Sequence, residues 1–299
     1  MKKKKISLGD WIFNIFLGLF FTLFTLICIY PFYYLIINTI SANDISANGQ
    51  IMFLPKGIHF QNYIDVFKIP DLASAALVSL GRTVLGTIGA VLGAAYLGFM
   101  FTQQKMWARK FWYRFTIITM YFNAGLIPWY ITMRNLHLTN NFLAYILPAI
   151  VQPFNIILVK SYMESISPAL QEAAEIDGAS VMKVFMKIML PLAKPIMATI
   201  AIFAAVGQWN SFQVTLILMT KPALYTLQFL LYQYINQASS LAAMIKNGTV
   251  ISTSSLATMQ TPTSIRMTVS VVVILPILLV YPFFQKYFVK GIMIGSVKG

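Results

Sequence analysis

Six stretches of the chain contain no Asp, Glu, Lys or Arg and are apolar along their length: 11–43, 83–104, 115–133, 135–159, 195–220 and 267–285. An α-helix rises about 1.5 Å per residue, so about 20 residues cross the roughly 30 Å hydrocarbon core of a bilayer. Even the shortest of the six, at 19 residues, is long enough. Lipid offers no partner to a bare backbone, so apolar runs of this length predict helices. The predicted spans cover approximately 11–40, 74–104, 114–135, 141–161, 196–219 and 265–288.

Two further charge-free windows do not fit this pattern. In 222–245 the apolar core from Leu224 to Ile235 is only 12 residues, and Gln228, Gln233, Asn236, Gln237, Ser239 and Ser240 interrupt the rest. It is too short and too polar to span and is placed at the outer surface. The window 247–265 is rich in Ser and Thr and reads as loop. Together they make a long outer segment, 220–264, whose Tyr225, Tyr232 and Tyr234 suit either a protein interface or a headgroup belt.

Composition agrees with a membrane protein. Hydrophobic residues make up 58% of the chain and charged residues 10%, against roughly 25% charged in an average soluble domain. One cysteine (Cys28) rules out an internal disulfide, and two histidines (His59, His137) leave little for a metal site. The net charge of +14 is topological rather than a sign of nucleic-acid binding. With the N-terminus inside, 15 of the 22 basic residues fall on the cytoplasmic side, including Lys2 to Lys5, Arg109, Lys183 and Lys286. An even number of spans then puts both termini in the cytoplasm. The first apolar run is much longer than a signal-peptide core, so it is a signal-anchor and the first span.

All eight acidic residues, Asp10, Asp44, Asp65, Asp71, Glu164, Glu172, Glu175 and Asp177, lie outside the spans. An ion-coupled carrier normally keeps a carboxylate in the membrane as a counter-charge for its cation, and none is available. The chain also has no Gly-Lys dipeptide, hence no phosphate-binding loop of the G-x-x-x-x-G-K-[ST] type. If ATP drives it, another polypeptide hydrolyses that ATP.

Four of the eight acids sit in one cytoplasmic stretch, 162–195, between the fourth and fifth spans. Ser167-Pro168 predicts a helix start with a side-chain cap and a proline in the first turn. The helix runs to about Asp177, and Gly178 supplies the stop. A second helix follows from about Ser180, with Val181, Val184, Phe185 and Ile188 on one face, and Pro191 ends it. Ala169, Ala173 and Ala174 leave room for a partner to approach. Composition alone is equally satisfied by a loop that stabilises only its own chain.

The spacing Glu172-Ala173-Ala174, three residues, Gly178, nine residues, Ile188-Met189-Leu190-Pro191 resembles the EAA loop of binding-protein-dependent ABC importers, E-A-A-x3-G-x9-I-x-L-P, at every fixed position. The likeness runs over nearly the whole chain. The six spans, the place of the motif, the Gln208-Trp209-Asn210 segment and the ending GIMIGSVKG resemble the carbohydrate-uptake permeases. Within these, the MalG-like and LplC-like oligosaccharide permeases are most similar. The resemblance implies an all-α integral membrane protein with the type I ABC importer permease fold, one permease domain over 1–299. It implies a non-catalytic subunit working with a second homologous permease, two ATP-binding subunits and an extracytoplasmic solute-binding protein. ATP and Mg would belong to the partner ATPase, with no cofactor or metal in this chain. Glu172, Ala173, Ala174, Asp177, Gly178, Leu190 and Pro191 would form the surface that docks in the ATPase, and the tail 291–299 would also reach it. A permease for another solute, such as a peptide or phosphate, stays open, as do an ion-coupled transporter and a membrane scaffold.

Polar residues within the spans are the substrate-pathway candidates: Asn123 in the third, Gln152 and Asn155 on one face of the fourth, and Gln208, Trp209, Asn210 and Gln213 in the fifth, where Trp209 and Gln213 share a face. Amides that bond sugar hydroxyls and an aromatic ring that packs on a sugar face would suit an oligosaccharide. Such amides serve equally well to join neighbouring helices. Gly81, Gly86, Gly89, Gly93 and Gly98 in the second span predict close helix packing. Arg82, Arg134 and Arg266 map to outer helix ends, to attract an acidic sugar, to pair with acids of a binding protein or to snorkel to headgroups.

Overall fold

A computed structural model describes residues 8–246 and 262–291. In chain order it begins with α1 (Leu8–Thr39), α2 (Asn43–Ala47), α3 (Gln61–Phe67), α4 (Leu72–Met100), α5 (Arg109–Tyr121) and α6 (Leu126–Asn135). A 3-10 turn, Phe142–Tyr145, leads to α7 (Leu147–Ile150), α8 (Pro153–Glu164), α9 (Pro168–Ile176) and α10 (Val181–Val184). After a π-helical turn over Phe185–Met189 come α11 (Leu190–Leu192), α12 (Lys194–Asn210), α13 (Gln213–Leu218), α14 (Leu227–Lys246) and α15 (Pro262–Gly291). No strand occurs among the described residues. The expected loop over 247–265 lies outside them except for its last residues, which open α15. The C-terminal tail beyond Gly291 also lies outside them.

Three described helices are long and apolar enough to cross a membrane unbroken: α1, α4 and the Thr263–Val280 part of α15. Two bent helix pairs are long and apolar enough only when each is taken together, Phe142–Ile150 with Pro153–Glu164 at 41° and Val181–Leu192 with Lys194–Asn210 at 77°. The single helix expected over 114–135 is instead split into α5 and α6. Gly125 (φ 89°) follows Phe122 in extended backbone, and the Asn123 side-chain carbonyl accepts the Gly125 N–H at 2.9 Å. The fifth expected span, 196–219, is likewise divided, because Ser211 leaves helical geometry (ψ 122°) before α13 starts. These breaks contain no charge, which is why a scan for charge-free windows passes over them. The segment 222–245, expected as surface loop, is mostly the 20-residue α14, which is still not apolar enough to count as a span.

The described residues divide into two compact units, one holding those up to Ile69 and those from Gln233 to Val273, the other those from Pro70 to Tyr232 and from Ile274 onward. In the first, α1 is apolar on every side, with Phe13, Phe16, Phe20 and Phe24 all exposed. Its C-terminal end is fixed by a polar cap. Buried Asn38 accepts from Ser46 Oγ at 2.8 Å, and the Asn62 amide donates to the Thr39 carbonyl and to Asn43 Oδ1, both at 2.9 Å.

The second unit is assembled on α4. Along its buried face Ala75, Ser79, Arg82, Gly86, Ala90, Ala94 and Gly98 follow the three-to-four-residue repeat of a helix and are small apart from Arg82, while the large buried residues Leu72 and Phe99 lie at its two ends. Small residues let backbones approach, which is how helices associate where lipid removes the hydrophobic drive. The face packs on α7, α8 and α12. A Cβ on Gly86 would meet the Gln208 side chain at 2.6 Å, and one on Gly98 would meet Val159 at 2.7 Å. Phe99, Val159, Met163, Val184, Phe185, Met189 and Ile200 close the core at the end where α4 finishes.

Replacing Gly98 by Leu is expected to cost about 1–3 kcal/mol through overpacking against α8, read as a lower melting temperature of the purified protein in detergent. Gly18 of α1, with nothing within 4 Å of a Cβ, should accept Leu without effect.

Candidate functional site

Two regions combine polar chemistry with constrained backbone, and both lie in the second unit. The first is the elbow. Pro168 opens α9 as expected, but Ser167 makes no side-chain cap bond. The helix ends at Ile176. Gly178 takes φ 76°, its N–H bonds to the Glu175 carbonyl at 3.1 Å, and the Ala179 N–H reaches the Ala174 carbonyl at 2.9 Å. No atom lies within 4 Å of a Cβ at Gly178, so glycine is required for its backbone conformation and not for space.

One side of α9 is bonded to the chain that leaves α4. Gln171 and Gln103 exchange amide bonds, with Gln171 Nε2 donating to Gln103 Oε1 at 2.9 Å, and Lys105 Nζ sits 3.0 Å from Glu175 Oε2. The Gln171 amide and then Lys105 hold the Glu175 carboxyl below its ordinary pKa. The other side is open. Ala169, Leu170, Glu172, Ala173, Asp177 and Gly178 are exposed, and Ile176 is 86% exposed.

Beyond Gly178 the elbow turns into the core. Ser180 accepts the Lys183 N–H at 3.4 Å to start α10, and Val184, Phe185 and Met189 are buried against Phe99, Val159 and Ile200. Val181 is exposed, contrary to the expected face, and Met189 takes the buried place. Pro191 does not end the helix. In an α-helix its ring would clash with the carbonyl of Lys187. The preceding turn widens so that the Leu190 N–H bonds to the Phe185 carbonyl, and helix continues to Leu192 before the 77° bend.

The second region is a cavity of about 370 Å³ among α4, α7, α8 and α12. Gln152, Asn155 and Gln208 line it, three of the residues expected along the pathway. Gln152 is not on a helix face with Asn155. It lies in the break before α8 and donates to the Pro148 carbonyl at 3.2 Å. Asn123 is occupied in shaping the α5–α6 break. Trp209 lines a separate apolar groove with Leu80, Val206 and Pro276. Asn210 is exposed and accepts from Gln228 Nε2 at 3.2 Å. Gln213 is exposed beyond the Ser211 break, so it shares no helix face with Trp209.

Two residues not expected there dominate the cavity. Arg82 is not at a helix end; it is the eleventh residue of α4, on the order of 15 Å along the helix, and 3% exposed. Its Nε and Nη2 donate to Gln208 Oε1 at 3.0 and 2.9 Å, and Nη1 donates to the Ser211 carbonyl at 2.8 Å. The guanidinium lies 4.5 Å from the centroid of the Tyr145 ring. Tyr145 in turn donates to the Leu224 carbonyl at 2.7 Å and bonds the Thr215 hydroxyl at 2.9 Å, and its own carbonyl accepts from Gln208 Nε2. The sequence holds a signal for Arg82, since Leu72 to Gly81 before it is as free of charge as the window after it.

The family described as binding-protein-dependent transport system inner membrane component matches residues 87–294. The polygalacturonan/rhamnogalacturonan transport system permease protein YtcP of Bacillus subtilis is 31% identical, over 96% of this chain and 99% of its own. Protein LplC of the same organism is 35% identical over 91% and 90%. A crystal structure of a bacterial ABC transporter involved in the import of the acidic polysaccharide alginate contains a chain of the same fold, with TM-score 0.82, 28% identity, and coverage of 96% of this chain and 100% of that one.

Gln208→Leu removes the acceptor of two bonds from a buried cation and is expected to destabilise by about 1.5–3 kcal/mol, while Tyr145→Phe, which keeps the ring over Arg82, costs about 1 kcal/mol. Thermal melting of the two purified variants would order them.

Proposed function

The chain belongs to the family of binding-protein-dependent transport system inner membrane components, and from that premise we propose that it is the permease subunit of an ATP-driven importer of oligosaccharides. It is a multi-pass protein of a prokaryotic cell membrane, with six crossings and both termini cytoplasmic. The relatives named for polygalacturonan and alginate support the saccharide. The crossings are α1, α4, α5–α6, the segment from Phe142 to Glu164, α12–α13 and α15, and the elbow over 162–195 faces the cytoplasm. A second, homologous permease completes the pathway, and an extracytoplasmic binding protein delivers the substrate to the outer side, where 220–264 lies. Two ATPase subunits bind ATP and Mg and carry out hydrolysis; this subunit is not an enzyme.

The observation that carries the reading is the two-sidedness of the elbow. One face of α9, with Ala169, Ala173 and Ile176 about one turn apart, is open and largely apolar. The opposite face is bonded to the end of α4 through Gln171 and Gln103. A helix seated in a cleft of the ATPase moves as a body when that cleft closes. The displacement passes through the Gln103–Gln171 bonds to α4 and through buried Phe185 and Met189 to α8 and α12, the helices around the cavity. Glu172, Ala173, Asp177 and Gly178 form the docking surface; Ala174, expected with them, instead turns toward the core, and Leu190 and Pro191 lie in α11, between the π turn and the bend that relay its motion.

Gly178→Val forces a β-branched residue to positive φ and is expected to lower ATP-dependent uptake in reconstituted vesicles at least tenfold, with membrane insertion intact and stability lowered by no more than the local strain of about 1–3 kcal/mol. Ile176→Glu should reduce co-purification of the ATPase by a similar factor. Normal uptake by both variants would remove the coupling role from the elbow.

A further inference from the structure

Arg82 is a buried cation for which the described part of the chain supplies no carboxylate. Among the described residues it forms no ion pair, and its hydrogen bonds go to Gln208 and Ser211. An isolated charge away from water is costly unless it is paired or well solvated. The solvation present is partial: the Gln208 amide oxygen, the π face of Tyr145, and the Ser211 carbonyl just beyond the C-terminal end of α12, where the helix dipole is negative. A guanidinium carries five N–H groups. The three bonds made here leave one N–H on each terminal nitrogen, the number that a carboxylate takes in a bidentate pair. Arg82 lines a cavity whose volume, about 370 Å³, is in the range of ligand sites, roughly 300–1,000 Å³. The other polar groups there, Gln152 and Asn155, are amides suited to hydroxyls, and Phe203 adds an aromatic ring.

We propose that this cavity is a substrate site in which Arg82 pairs with the carboxylate of a uronic-acid residue, so that the subunit favours acidic over neutral oligosaccharides. The inference rests on the oligosaccharide reading above and adds the charge of the substrate to it. Gln208 is then a positioning residue. It holds the guanidinium by two bonds and is itself seated by Gly86, which leaves room for the amide on α4.

The test uses the complete transporter, with its partner permease, ATPase and binding protein, in proteoliposomes. Uptake is measured for trigalacturonate, an alginate trisaccharide, the methyl ester of each, and maltotriose. The expected result is import of at least one acid, with its ester about tenfold or more slower. That acid-to-ester ratio should collapse in Arg82→Gln and fall less in Arg82→Lys. Gln208→Glu, which places a carboxylate beside Arg82 within the chain, should abolish the preference without the folding risk of removing the cation. The ratio is internal to each preparation and does not depend on how much transporter is folded. An unchanged ratio in Arg82→Gln and Gln208→Glu would assign any acid preference to the binding protein and overturn the proposal while leaving the importer intact. Equal import of esters, maltotriose and acids by the unmodified transporter would overturn it in the same way. Import of no saccharide, with ATP hydrolysis preserved, would defeat the oligosaccharide reading and this inference with it.

Discussion

The guanidinium in the middle of α4 fastens three pieces of interrupted helix at once: Gln208 near the end of α12, the Ser211 carbonyl in the break beyond it, and the Tyr145 ring on the turn that precedes α7. Within hydrocarbon an interrupted helix is tolerable only where protein, rather than lipid, answers the freed backbone groups. Arg82 does this for the α12–α13 break, Asn123 for the α5–α6 break, and Tyr145 extends the bonding to Thr215 and Leu224. The small-residue face of α4 makes this arrangement possible. Gly86, one turn from Arg82, lets Gln208 lie against the helix, and Gly98 lets α8 close on the end nearest the elbow.

What could be read in the sequence was whatever depends on length, charge and fixed spacing. The all-helical fold, the small-residue packing of α4, the proline at the start of α9 and the reversed φ of Gly178 follow from local chemistry and are found as expected. The interruptions were legible only in part. Val151-Gln152 carries a local signal, since Pro153 disfavours helix at the residue before it. Ser211-Phe212 carries no charge and no proline or glycine, and its geometry is set by a partner distant in sequence, Arg82, 129 residues from Ser211. The same reason explains Trp209 and Gln213: their expected common face assumed an unbroken helix. Arg82 interrupts the charge-free run and so reads as a helix end, although α4 passes straight through it.

The elbow has an open part and a packed part. From Gly178 back to Pro168 there is a short helix with an open face, and from Ser180 onward side chains enter a core shared with α4, α8 and α12. The π turn before Pro191 keeps this second part continuous up to the bend, so that Phe185 and Met189 stay in the core despite a proline two residues on.

Gly178 has a consequence of a different kind. Its φ of 76° lies in the left-handed region that L-residues adopt only at a cost, yet the space around it is empty. The constraint there is on handedness and not on volume. A D-alanine introduced by chemical ligation would sit in that conformation as comfortably as glycine does, and by narrowing the freedom of the unfolded chain it would stiffen the turn. The mirror-image residue is thus the one substitution by which this joint could be made firmer without being reshaped.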